Sequence, residues 1–344
     1  MQHSRLTKVP TALTYQDVLL VPQYSNIRSR SEVDISARLQ DGLTLQIPII
    51  SSPMDTVSES VMADAMSSLG GLSIIHRYNT PEEQARLVRE SGGLVGAAIG
   101  MTGDYQERTQ AVVEAGARVL CVDVAHGHHS SMYECLQWLR DNCDDGVHIV
   151  AGNVATLDGF NALADWGADS VRCNIGGGSI CTTRVQTGHG VPGLHTIFDC
   201  ARSVNAGNVN IIADGGIKNS GDIVKALAAG ADLVMLGSLL AGTDEAPGEV
   251  FEDSSGVQFK SYRGMASRDA QIAWRGRVGT PEGVASVVPY RGSVYVIVDQ
   301  LVGGIRSGLS YSGARTIPEL QMKAKFIRQT DAGQVESSAH ILKR

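Results

Sequence analysis

Basic residues are in the minority. The 344 residues hold 29 Lys and Arg against 36 Asp and Glu, a formal charge of -7, which argues against nucleic acid as the main partner. No apolar run reaches the roughly 18 residues that a membrane-spanning helix requires, and the start, MQHSRLTKVP, lacks a signal-peptide pattern. The six cysteines (121, 135, 143, 173, 181 and 200) are too dilute for a disulfide scaffold, and none is paired at CxxC spacing, so no zinc ribbon is encoded. Reduced thiols in a cytoplasmic protein are the simplest reading. No GxGxxG falls between the first expected strand and the first expected helix, which weakens an open dinucleotide-binding sheet. Internal repeats and low-complexity tracts are lacking too.

What is present is ordinary globular composition, 43% hydrophobic and 19% charged, together with 39 glycines, many of them clustered in loops where backbone can approach a ligand closely. Eight short apolar runs recur: Ile47-Ile50, Leu72-Ile75, Leu94-Ile99, Val119-Val122, Val147-Val150, Ser170-Cys173, Val209-Ala213 and Leu233-Leu236. Helical spacing separates several of them. Val61, Met62, Ala65, Met66 and Leu69 fall on one helix face before Gly70-Gly71, and Gly221 to Gly230 reads as a helix with a glycine stop. Continuous apolar strands alternating with amphipathic helices imply a parallel sheet buried on both faces, and eight units imply a closed (β/α)8 (TIM) barrel, one domain over residues 1–344. The polar, glycine-bearing stretch from about 247 to 289 reads as a flap over the barrel mouth, and the tail as a helix over Ile317-Phe326 followed by a polar end at 327–344.

The chemistry-bearing residues fall just past strand ends, where barrel enzymes carry their sites. Cys181 lies in Gly176-Gly-Gly-Ser-Ile-Cys-Thr-Thr-Arg184. A lone cysteine is more often a small core residue, but glycine-rich backbone with a nearby cation, Arg184, favours thiolate and marks Cys181 as a nucleophile. Thr183 is placed to bond a substrate or water beside the sulfur. Asp214-Gly-Gly216 and Gly237-Ser238 follow the seventh and eighth strands, positions that commonly hold phosphate on backbone N–H groups, and Asp214 suits ribose hydroxyls. Together they read as a nucleotide site, although glycine turns and an N-capping aspartate would explain either loop alone. Asp123 suits a second ribose. The following His126, His128 and His129 leave a metal site and a plain polar loop as alternatives.

Assembled, these residues resemble the family of IMP dehydrogenases and GMP reductases over nearly the whole chain. The motifs are Leu13-Thr-Tyr-Gln-Asp-Val-Leu-Leu20, Pro48-Ile-Ile-Ser-Ser-Pro-Met-Asp-Thr-Val57, Gly96-Ala-Ala-Ile-Gly100, Ala151-Gly-Asn-Val154, Gly178-Ser-Ile-Cys-Thr-Thr183, Ile212-Ala-Asp-Gly-Gly216, Met235-Leu-Gly-Ser238 and Tyr262-Arg-Gly-Met265. The resemblance implies a homotetrameric barrel that binds a purine nucleoside monophosphate, GMP or IMP, and a nicotinamide dinucleotide. Cys181 would attack purine C2, Thr183 would position the water or amine there, and Glu282 would move protons. Ser52, Met54, Asp214, Gly216, Gly237, Ser238, Tyr262, Gly264 and Met265 would bind the nucleotide, and Asp123 and Asn153 the dinucleotide. A potassium ion would rest on carbonyls of Gly176, Gly178 and Cys181, completed by Glu336, Ser337 and Ser338 of a neighbouring subunit. Asn174 and Gly177 depart from the usual GxGPGS form of the cysteine loop.

The family resembled here runs two reactions. A dehydrogenase oxidises IMP with NAD and hydrolyses a covalent thioimidate to XMP; a reductase converts GMP to IMP and ammonia with NADPH. Dehydrogenases usually carry a regulatory domain pair where this chain has only Ser-Gly-Gly-Leu-Val between Glu90 and Gly96. Their flap brings an Arg-Tyr pair that activates water, and no Arg-Tyr occurs between Met265 and Glu282; Arg275 and Arg277 are the only arginines there besides Arg268. Thr243 to Glu249, Tyr262-Arg263 and the tail from Ala332 to His340 are dehydrogenase-like. A GMP reductase is therefore expected, with IMP dehydrogenase as the alternative. A catalytically idle nucleotide-binding regulator would not need Cys181, Thr183 and Glu282 together.

Overall fold

Eight short strands of branched apolar residues close on themselves in the computed structural model, which describes residues 9–39 and 42–337. They are β1 Ile49–Ser51, β2 Leu72–Ile75, β3 Val95–Ile99, β4 Val119–Asp123, β5 His148–Val154, β6 Ser170–Cys173, β7 Asn210–Asp214 and β8 Leu233–Leu236. All neighbours are parallel, and the circle closes where β1 pairs with both β2 (Ile50 opposite Leu72) and β8 (Ile49 opposite Val234). Each expected apolar run supplies one strand. Ile49, Ile50, Ile74, Leu120, Val171 and Val234 are fully buried, as strands covered on both faces demand. The fold is a (β/α)8 TIM barrel.

The outer ring is α1 Ser60–Ser68, α2 Pro81–Glu90, α3 Tyr105–Glu114, α4 Ser130–Asn142, α5 Leu157–Asp165, α6 Gly193–Cys200, α7 Ser220–Ala228 and α8 Val294–Tyr311. Local chemistry sets several starts. Thr80 caps α2 through the Glu83 amide with Pro81 in the first turn, Thr156 caps α5, and Asn219 caps α7. In α1 the inward face is Met62, Ala63, Ala65 and Met66, whereas Val61, expected on that face, is 60% exposed. At about 100° per residue the face centred on Met62, Ala63, Ala65 and Met66 lies about 120° around the helix from Val61, which leaves that side chain at the solvent edge.

Two segments depart from the expectations. The tail helix stops at Lys323, and Phe326–Arg328 is instead a strand paired antiparallel with Val18–Leu20, its Phe326 ring meeting Phe198 edge-on at 5.0 Å. Between β8 and α8 the chain forms more than a loop. β9 Phe251–Glu252, β10 Gln258–Arg263 and β11 Ala285–Pro289 make an antiparallel sheet, with a short helix, Arg268–Arg275, between β10 and β11. Buried Lys260 pins this sheet to the barrel by donating to the carbonyls of Thr243, at 2.9 Å, and Ala246. Tyr290 adds a bond to Asp244 at 2.6 Å.

Candidate active site

The cysteine loop leaves β6 at the mouth of the barrel and meets the end of the segment that follows β10. Cys181 pairs with Gly283 as an isolated bridge, Thr182 N donates to Glu282 O at 2.9 Å, and Val284 N donates to Ile180 O at 3.0 Å. That backbone pairing brings three side chains into line. The Cys181 thiol donates to Thr183 Oγ1 at 3.2 Å, and Thr183 Oγ1 donates to Glu282 Oε2 at 2.8 Å. Cys181 is half-buried and Thr183 buried. A sulfur, a hydroxyl and a carboxylate thus stand in one hydrogen-bonded line, an arrangement along which a proton can pass. Arg184, expected beside the sulfur, is elsewhere. Its guanidinium donates to Val191 O at 2.6 Å and to Ile175 O at 3.2 and 3.3 Å, so it braces the loop rather than charging the thiol.

Beneath the loop lies a buried cation that sequence reasoning missed. Arg172, on β6 and 6% exposed, donates to Asp214 Oδ2 at 2.9 Å and to Asp123 Oδ1. Burial opposes its charge, but the Asp214 and Asp123 carboxylates outweigh that and hold the guanidinium firmly protonated. Asp123 and Asp214, read separately as ribose acceptors, are therefore tied to one another through a single guanidinium. Asn153 also serves this network: its amide donates to Asp214 Oδ2 at 2.7 Å and to Asn174 O at 2.9 Å. A second missed group adjoins Asp123. Arg77 donates to the Asp123 carbonyl at 3.0 Å and lies 5.3 Å from the Tyr78 ring centre and 5.5 Å from that of Trp274; the two rings meet edge-on at 5.1 Å. Arg77 and Tyr78 follow β2 in a run, His76-Arg-Tyr78, whose only visible signal was aromatic and cationic residues past a strand end.

The opposite end of the site is built from glycine. Gly216 has φ +78°, and a Cβ there would come 3.2 Å from Gly177 O, so the β7 loop and the cysteine loop touch through bare backbone. At Gly237 a Cβ would stand 2.8 Å from the Tyr262 hydroxyl, 3.3 Å from Met54 Sδ and 3.5 Å from Ser52 Oγ. Tyr262 is buried, which pushes its phenol up to about 12 and keeps it a neutral donor. Met265 Sδ accepts from Asp55 N at 3.3 Å, and Arg263 clamps the Asp55 carboxylate, tying β10 to the β1 loop.

One cavity of about 530 Å³ joins these parts. Its wall includes Ser52, Met54, Asp123, Asn153, Gly176, Gly178, Cys181, Thr183, Asp214, Gly216, Gly237, Ser238, Tyr262, Gly264, Met265 and Glu282, all named from sequence, and also Arg77, Tyr78, Arg172 and Trp274. Glu336 and Ser337 do not line it. The Ser337 hydroxyl instead donates to Gln329 Oε1 and Gly333 O, and Ser338 lies outside the described residues. Among the described residues no group of three or more His, Cys, Asp or Glu is arranged to hold a metal, which leaves the His126 to His129 loop without a metal reading. His129 caps α4. No helix among them is long and apolar enough to cross a membrane.

A thiol joined through a hydroxyl to a carboxylate at the mouth of a (β/α)8 barrel, beside a cavity with two anchored aspartates, is the layout of a barrel enzyme. Comparison narrows it. The profile of the IMP dehydrogenase / GMP reductase domain matches residues 12–340. The inosine-5'-monophosphate dehydrogenase of Cryptosporidium parvum is 38% identical over 384 aligned positions, covering 95% of this chain and 94% of that protein. The GMP reductase of Leishmania major is 34% identical over 486 positions, covering 98% and 99% respectively. Since this chain has 344 residues, the Leishmania protein carries a segment it lacks. The crystal structure of a cysteine-to-alanine variant of Trypanosoma brucei GMP reductase in complex with guanosine 5'-monophosphate superposes with a TM-score of 0.92 at 33% identity, over 98% of this chain and 99% of that one. The chain belongs to the IMP dehydrogenase / GMP reductase family of purine nucleotide oxidoreductases.

Proposed function

We propose that this protein is a GMP reductase, converting GMP to IMP and ammonia with NADPH through a covalent bond between Cys181 and purine C2. The observation that carries the reading is the Cys181–Thr183–Glu282 path, together with what else the segment from Met265 to Glu282 brings to the cavity. Its described lining side chains there are Met265, Ala266, Gln271, Trp274, Thr280 and Glu282, so Glu282 is the one acid–base group among them. Arg277 is exposed and absent from the wall, and the Arg275 side chain lies outside the described residues. No Arg-Tyr pair occurs between Met265 and Glu282 to activate a water.

In this reading Gly216, Gly237, Ser238 and Tyr262 take the phosphate, Asp214 takes ribose hydroxyls, and Ser52, Met54, Gly264 and Met265 flank the base. The Cys181 thiol gives its proton through Thr183 to Glu282 as its sulfur bonds to C2, and Glu282 delivers that proton through Thr183 to the 2-amino group, which leaves as ammonia. The C–S bond breaks as C2 gains hydride, returning the thiolate and releasing IMP. The nicotinamide supplies that hydride. Asp123, with Asn153 behind the network, and the Arg77–Tyr78–Trp274 group would hold the dinucleotide; the buried Nε of Arg77, which has no hydrogen-bond partner, fits a further acceptor there. One GMP, one NADPH and two protons give one IMP, one NADP+ and one ammonium. The segment from about 247 to 289 acts as the flap of a single-domain cytoplasmic homotetramer, and potassium would require the tail of a neighbouring copy. No step above passes through it.

The alternative is an IMP dehydrogenase oxidising IMP to XMP with NAD, favoured by the similarity to the Cryptosporidium dehydrogenase over 95% of this chain and 94% of that protein. Steady-state assays of the purified chain separate the two. NADPH consumption that depends on GMP is expected; NADH formation from IMP and NAD without GMP-dependent turnover would overturn the reading.

A further inference from the structure

Asn174 keeps two unfavourable features at once. It is the only non-glycine residue among those described with φ in the left-handed range, at +150°, where a Cβ is disfavoured. It is also 4% exposed, with its side-chain Oδ1 buried and unpartnered. Features of this kind persist where the surroundings hold them for a purpose. The other half of the amide shows the purpose. Asn174 Nδ2 crosses from the end of β6 to the β7 loop and donates to Asp214 O at 2.8 Å and Gly215 O at 3.3 Å. On its own strand side, Asn174 N donates to Val154 O at 2.8 Å and its carbonyl accepts from Asn153, so the residue is fixed from three strands.

Gly177 explains how the amide fits. Its φ is not positive, so no backbone requirement calls for glycine there. A Cβ on Gly177 would stand 2.0 Å from Asn174 Nδ2 and 2.7 Å from both Cγ and Oδ1. The side chain that Gly177 lacks is the space the Asn174 amide fills. One residue further along the chain comes Gly178, whose carbonyl receives the Cys181 amide.

We propose that Asn174 is a positioning residue, and that Asn174 and Gly177 are a matched pair: the carboxamide under Gly177 holds the cysteine loop against the Asp214–Gly216 loop and so fixes where the Cys181 sulfur stands. It rests on the proposed covalent chemistry only for its effect on turnover; its effect on the thiol does not. Misplacing a nucleophile by about 1 Å costs on the order of 10²-fold in rate.

The test is a double-mutant cycle on the full chain, with Asn174→Ala, Gly177→Ala and the double variant. For each, kcat and KM with GMP and NADPH are measured, along with the rate of Cys181 alkylation by iodoacetamide (site-resolved by mass spectrometry) and the unfolding midpoint. Gly177→Ala is expected to lower kcat by about tenfold to 10²-fold, to change KM for GMP much less, and to alter the alkylation rate. Asn174→Ala alone should also lower kcat, because the brace is gone; with the space under residue 177 freed, the double variant should fall to the Asn174→Ala level and no further, in both kcat and alkylation. Losses in the two singles that simply multiply in the double variant, or a Gly177→Ala variant with parental alkylation and kcat, overturn the pairing. A purely structural role would move the unfolding midpoint of all three without rescue. Should the parent protein turn over neither GMP nor IMP, the proposed function fails, while the alkylation cycle still decides the pairing.

Discussion

Replacing Glu282 with Gln removes charge and proton from the acid–base end of the path while leaving its geometry in place. The Glu282 backbone carbonyl still accepts from Thr182 N at 2.9 Å, and a glutamine carbonyl can still receive the Thr183 hydroxyl that now donates at 2.8 Å. What disappears is the group able to give a proton to the departing amine. General acid–base assistance is worth about 10²–10⁴-fold, or roughly 2.7–5.5 kcal/mol of barrier. The expected variant therefore binds GMP within about threefold of the parent and releases ammonia from GMP at least about 10²-fold more slowly. Single-turnover ammonia release with GMP and NADPH measures this directly. A kcat within about threefold of the parent would show that the Cys181–Thr183–Glu282 alignment is not the proton path, and the role of the flap would have to be reassigned.

Three further outcomes follow from the surroundings of the site. Arg172→Met leaves Asp123 and Asp214 buried without their shared cation and should cost about 3–5 kcal/mol in urea unfolding, with nucleotide binding lost as well; parental stability would mean the network is solvated. Gly237→Ala puts a methyl 2.8 Å from the Tyr262 hydroxyl, so titration calorimetry should show GMP binding at least about tenfold weaker while guanosine is affected less. Asp232 carries a carboxyl that burial raises to about 6 despite the Ile211 amide bond. Its folded-state value lies above the unfolded one, so its stabilising contribution is complete below about pH 4 and is lost as pH rises through 6. Asp232→Asn should therefore be more stable than the parent at pH 8, by about 2–3 kcal/mol, and the gap should close toward pH 4; a gap that does not change with pH contradicts this.

The barrel was readable because each strand is covered on both faces, which turns Leu72–Ile75 or Leu233–Leu236 into an uninterrupted apolar run. The cysteine loop was readable because its residues are contiguous. Arg172 was not. It stands in Ser-Val-Arg-Cys173, and nothing local marks an arginine as buried until β4 and β7 bring Asp123 and Asp214 to it. Phe326–Arg328 was misread for a similar reason, since its partner Val18–Leu20 lies near the other end of the chain and the pairing leaves no local period. In the stretch from 247 to 289, glycine and polar residues suggested loop, but Lys260 and Tyr262 alternate inward along β10 and make it a sheet. Asn174 and Gly177 were visible as departures from the family pattern; that each explains the other needed coordinates.

The most direct measurement of the central claim is the fate of isotope at purine C2. With GMP and NADPH carrying deuterium at its transferable nicotinamide position, mass spectrometry of the product should show IMP with one deuterium at C2, ammonia released in equal amount, and no such product from Cys181→Ala although it still binds GMP. XMP formed from IMP and NAD, with no deuterated IMP from GMP, would contradict the reductase reading; deuterated IMP made by the Cys181→Ala variant would remove the cysteine from the chemistry.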